Sequence, residues 1–83
     1  MKITVRYFAS IREGLSQSME VRQTQAKTLG GLRDELLALG GEYAQLLSRA
    51  KAVRMALNQV MADEQVALRE GDEVAFFPPV TGG

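Results

Sequence analysis

Apolar and polar residues alternate from Lys2 to Ala9: Ile3, Val5, Tyr7 and Ala9 fall on one face, Lys2, Thr4, Arg6 and Phe8 on the other. A period of two is what a half-buried strand requires, because successive side chains point to opposite sides of the pleat. Phe8 interrupts the pattern by setting an aromatic ring among polar residues. It reads either as a partly covered surface ring or as a partner contact, since aromatics are enriched in protein interfaces. Ile11-Arg12-Glu13-Gly14 reads as a turn. Ser18 to Arg22, with Met19 and Val21 alternating, then predicts a returning strand and so a hairpin.

The period changes after Thr28, which predicts a helix N-cap. Leu29, Leu32, Leu36 and Leu39 follow at spacings of three, four and three, one helical stripe expected to face the core. Gly30 and Gly31 weaken the first turn, at about 1 kcal/mol each relative to Ala in a helix interior. Gly40-Gly41 supplies a stop. Neither glycine pair belongs to a phosphate-binding pattern. Glu42 to Arg49 predicts one or two further helical turns, with Tyr43, Leu46 and Leu47 apolar.

Alternation returns at Ala52 to Asn58, with Val53, Met55 and Leu57 expected inward and Ala52, Arg54 and Ala56 outward. Asn58-Gln59 reads as a turn and Val60-Met61 as a short continuation. Core packing is the simpler account of Met61, although methionine is also adaptable at binding surfaces. Arg69-Glu70-Gly71-Asp72 signals a turn before a last strand, Glu73 to Phe77. There Val74 and Phe76 share one face, and parity with the preceding strand points Phe77 away from the core. The order strand, strand, helix, strand, short strand, strand is not a regular β-α alternation. It predicts a two-layer α+β domain, and central pairing of the first and last strands makes them parallel, with the helix as crossover.

Eighty-three residues suffice for one small domain, residues 1–77, followed by a tail, residues 78–83. Hydrophobic residues at 46% and charged ones at 24% exclude a disordered chain. Ten basic and ten acidic side chains cancel, without a basic stripe, so no nucleic-acid partner is expected. Without a spanning apolar stretch or a signal-peptide pattern, no membrane partner is expected either, and the expected location is cytoplasmic. Cysteine and histidine are absent. That removes disulfides, the usual zinc ligand sets, a thiol nucleophile and the commonest general base.

The chemistry is left to the end of the chain. Pro78 and Pro79 cannot donate to a sheet ladder and force an extended backbone. The six residues Pro78, Pro79, Val80, Thr81, Gly82 and Gly83 make a stalk that reaches about 20 Å when extended. Two terminal glycines without side chains suit a narrow cleft in a partner, which makes the Gly83 carboxylate the candidate functional group.

The run G-D-E-V-A-F-F-P-P-V-T-G-G closely resembles the end of the small, sulfur-carrying subunits of molybdopterin synthase, a ubiquitin-like family. Y-F-A-S-I-R-E and Asn58-Gln59 extend the likeness. The resemblance implies a β-grasp fold with one main helix across a mixed sheet, and a protein that is not an enzyme on its own. It implies that an ATP-dependent adenylating enzyme activates the Gly83 carboxylate, and that a sulfur donor converts it to a thiocarboxylate. The tail would then enter the large catalytic subunit, in a heterotetramer, and give sulfur to a cyclic pyranopterin precursor of the molybdenum cofactor. No tightly bound cofactor is implied, only a transient acyl-adenylate and thiocarboxylate. By the same resemblance Gly83 carries the sulfur and Gly82 gives slim approach. Phe8, Met61 and Phe77 form a hydrophobic docking face, with Pro78, Pro79, Val80 and Thr81 also contacting the partner, and Arg12 meets the adenylating enzyme. A ubiquitin-like modifier and a thiamin-type sulfur carrier remain alternatives, because they use the same kind of end.

Overall fold

The computed structural model describes residues 1–79. Five strands form one sheet: β1 (Lys2–Tyr7), β2 (Met19–Gln23), β3 (Arg54–Leu57), β4 (Val60–Ala62) and β5 (Glu73–Phe77). Their spatial order is β2-β1-β5-β3-β4, and every pairing is antiparallel except β1 with β5. The first and last strands therefore lie side by side and parallel, as the pattern predicts. Helix α2 (Leu29–Leu37) belongs to the crossover connecting the two halves. Thr28 caps it as expected, its hydroxyl accepting the Gly31 N–H at 3.1 Å.

Alternation decides which face is buried. Ile3, Val5 and Tyr7 of β1, Met55 of β3 and Val74 and Phe76 of β5 join Leu29, Leu32 and Leu36 of α2 in one core. Tyr7 and Phe76 stack at 6.1 Å between ring centroids, so the two parallel strands are also joined through their largest side chains. Asn58 and Gln59 take positive φ, the backbone of a tight hairpin between β3 and β4.

Three expectations need correction. Ile11-Arg12-Glu13-Gly14 is not a turn but lies inside α1 (Ala9–Leu15). Ile11 is buried and Leu15 packs against the core one turn later, a two-residue stripe too short to stand out in the sequence. A Cβ on Gly14 would come within 2.5 Å of Leu46 Cδ1, so its lack of a side chain lets α1 approach α3 (Gly41–Leu46). Leu39 does not join the core stripe and is exposed, because α2 ends at Leu37 and its last turn tightens. Leu39 N–H reaches Leu36 O, three residues back instead of four. Ala56 faces outward as expected, but facing outward does not leave it in solvent: small, it is buried in the row Ala75–Ala56–Met61. Ala9 does not extend the β1 face but opens α1 in an exposed position.

The glycines at the start of α2 acquire a purpose. Gly30 is buried, its N–H donates to Glu64 O at 2.8 Å, and an added Cβ would lie 3.0 Å from Glu64 Cβ. The loop after β4 can seat against the helix only because that position has no side chain. Met19 and Val21 make the β2 strand as predicted, yet both face outward and are exposed, while Glu20 and Arg22 face the helix layer.

Candidate functional site at the root of the tail

β5 is the central strand, and it delivers the chain to Pro78 beside the first turn of α1. The Phe8 N–H donates to Phe76 O at 3.2 Å, extending the β1–β5 ladder by one bond before α1 begins. On the outward face Phe8 and Phe77 stack, with centroids 4.6 Å apart and planes 10° from parallel. Both rings are half-buried, as is Pro78, while Pro79 is exposed. Parity thus placed Phe77 on the correct face, and Phe8 lies against it.

Met61 is 54% exposed and shares the outward face through its pairing with Ala56, two strands from Phe77. Arg12 is exposed on α1, away from the strand rows. The sheet therefore brings Phe8 and Phe77 together, sets Met61 at the margin of the same face, and leaves Arg12 on a neighbouring element. Val80, Thr81, Gly82 and Gly83 lie outside the described residues.

A half-buried polar cluster on the other face carries no local signal in the sequence. The Glu20 carboxylate accepts hydrogen bonds from Tyr7 Oη (2.8 Å), Tyr43 Oη (2.7 Å), Gln17 Nε2 (2.9 Å) and Arg22 (2.9 Å). Burial alone would push Glu20 upward, but the hydrogen bonds from Tyr43, Tyr7 and Arg22 outweigh it and hold its pKa below the ordinary value. Burial, then the hydrogen bond to Glu20 and its charge, push the Tyr7 phenol far up, so it stays protonated. The cluster ties β1, β2 and α3 together and offers no open coordination position. Because Glu20 binds its proton less readily when folded, its stabilising contribution is present above the ordinary value of 4.5 and is lost as pH falls through the lowered one. Glu20→Gln is expected to lower the melting temperature at neutral pH and to flatten its fall in acid, as thermal denaturation across that range would register. An unchanged acid slope would count against the cluster.

A second cluster is structural too. Arg33, 4% exposed, donates to Leu47 O (2.8 Å), Ser48 O (2.9 Å) and Glu64 (3.1 Å), clasping the end of α3 to α2. Burial lowers its pKa and the Glu64 carboxylate opposes that shift. Among the described residues no group of acidic side chains is arranged to hold a metal ion, and no helix is long and apolar enough to cross a membrane. Among the described residues, the side chains of Phe8, Met61, Phe77, Pro78 and Pro79 offer no nucleophile or base. What the site provides is an aromatic platform where the chain leaves the sheet.

A mixed sheet with a central parallel pair and helices packed across one face defines a ubiquitin-like β-grasp protein. The chain belongs to the ThiS family, which it matches over residues 5–83. It is 36% identical over 85 residues to the molybdopterin synthase sulfur carrier subunit of Mycobacterium tuberculosis, covering 100% of this chain and 99% of that one. Among solved structures it resembles SAMP1 from Haloferax volcanii, with a TM-score of 0.78, 25% identity and 100% coverage of both chains. It also resembles a chain in the complex of subunits 1 and 2 of molybdopterin-converting factor from Helicobacter pylori, with a TM-score of 0.71, 26% identity and 100% coverage of both.

Proposed function

We propose that the chain is the sulfur-carrier subunit of a molybdopterin synthase, working in the cytoplasm through a thiocarboxylate on Gly83. The end-to-end similarity to the Mycobacterium tuberculosis subunit carries this reading, since it includes the terminal glycines as well as the fold. The chemistry follows from the terminus. A carboxylate with a pKa of about 3.3–3.7 is an anion at neutral pH and resists nucleophiles. Attack of that carboxylate on the α-phosphate of ATP, with loss of pyrophosphate, makes an acyl-adenylate. A sulfur donor then displaces AMP and leaves the thiocarboxylate.

Sulfur delivery needs a partner. The stalk carries the reagent away from the body, and a large subunit supplies orientation and electrostatic stabilisation in its own cleft. In this reading Phe8, Phe77 and Met61 dock the domain, and Pro78, Pro79, Val80 and Thr81 line the entry. Gly82 and Gly83 reach the reaction, and Arg12 meets the adenylating enzyme. A second reading, a ubiquitin-like protein modifier, is favoured by the likeness to SAMP1, a structure of small archaeal modifier type.

Intact mass spectrometry after co-expression with the adenylating enzyme and a sulfur source separates the two. The expected product is this chain with one oxygen exchanged for sulfur. Lysine conjugates of much higher mass, without the exchanged species, would favour the modifier.

A further inference from the structure

The root of the tail carries charge that docking through aromatic rings does not use. Arg6 of β1 and Arg54 of β3 flank β5 on its two sides, Arg6 in register with Ala75 and Arg54 with Phe77. All four residues are on the outward face. The Arg6 guanidinium carbon lies 5.7 Å from the Phe8 ring centroid, and Phe8 stacks on Phe77. Arginine, ring, ring and arginine thus cross the sheet where the chain leaves it.

Position sets these two cations apart, since among the described residues Arg12, Arg69 and the three lysines make no ion pair either. Arg22, Arg33 and Arg49 all pair with carboxylates. Among the described residues Arg6 and Arg54 are the two that flank the last strand on its outward face without an ion pair, and the Arg6 Nε, like that of Arg22, is buried without an acceptor. Glu73 is the one carboxylate at an outward strand position among the described residues. It stands in register with Thr4, at the far end of β5 from Phe77. The chain is neutral overall, so a general basic excess does not explain the pair.

We propose that the surface receiving the tail is a protein surface with carboxylates opposite Arg6 and Arg54, on either side of an apolar patch that covers Phe8 and Phe77. The occupant is the synthase large subunit, so the proposal rests on the functional reading above. Two charges flanking β5 orient the domain before the rings make contact. Complementary charges of this kind act mainly on encounter rate and register, and salt screens them over about 10 Å at 0.1 M. Single-stranded nucleic acid also answers to arginine and aromatic rings, but it is held along a basic groove, and this neutral chain has no such stripe.

Stopped-flow association with the large subunit across ionic strengths tests the proposal. Wild-type association is expected to slow as salt rises. Arg54→Glu, at an exposed position, should slow it about tenfold at low salt and flatten the salt dependence, with less effect on dissociation. Arg6→Glu should act in the same direction. Lys27→Glu makes the same change in net charge in the loop before α2, and should leave the rate close to wild type. Arg54→Glu associating like wild type, or Lys27→Glu slowing as much, would overturn the proposal while leaving the functional reading intact. Tight binding of a fluorescent single-stranded RNA that depends on Arg54 would overturn it in favour of nucleic acid. A wild-type chain that does not bind the large subunit at any salt would remove the functional reading, and this proposal with it.

Discussion

One extra residue after Gly83 is expected to abolish sulfur transfer while leaving the melting temperature unchanged. Deletion of Gly83 should do the same. The reacting carboxylate moves by one residue, about 3.3–3.6 Å along an extended chain. A misplacement of even about 1 Å can cost a hundredfold in a reaction that depends on near-attack geometry. The domain is not expected to register the change, because among the described residues the last member of its core is Phe76. Thermal denaturation, thiocarboxylate formation and single-turnover sulfur transfer, measured on both variants, check the claim. Transfer at the wild-type rate from either would show that Gly83 is not the reagent.

The second large effect separates two adjacent phenylalanines. Phe76→Ala is expected to cost about 3–5 kcal/mol, because it empties a fully buried site and removes the stack on Tyr7. At roughly 0.05–0.15 kcal/mol per residue, a domain of this size has a total stability only of that order to a few times larger. The variant should be largely unfolded or melt far below wild type. Phe77→Ala should cost about 0.5–1.5 kcal/mol through the lost stack on Phe8, and should weaken partner binding more than it lowers melting temperature. Denaturant titration with a binding assay on both variants distinguishes the faces. Equal stability losses would mean that the outward ring is part of the core.

This contrast was legible because strand parity is a strong local signal. Val74 and Phe76 inward, Phe77 outward, the Asn58-Gln59 turn and the Thr28 cap all follow from spacing within a few residues. Element order fixed the parallel sense of β1 and β5 on condition that they pair, and the β-grasp resemblance implied that they do. What was hidden depends on contacts between distant segments. Helix α1 offers only Ile11 and Leu15 as a stripe, with Phe8 at its cap making no side-chain hydrogen bond, so nothing local marks its start. Leu39 kept the helical spacing, but a tightened last turn rotated it into solvent. Glu20 became a half-buried acceptor only because two tyrosines from β1 and α3 converge on it, and Gly30 reads as a helix defect until the Glu64 segment lies across it. The platform was half visible: each ring had been singled out, but their contact arises from the sheet.

The central place of β5 bears on synthesis. The sheet's middle strand is the last to leave the ribosome, and its partners β1 and β3 have no common neighbour until it arrives. A chain that stops before Glu73 therefore lacks the strand that closes the fold. The sheet is thus assembled from both ends of its sequence at once, and the ordered body exists only after β5 has been made.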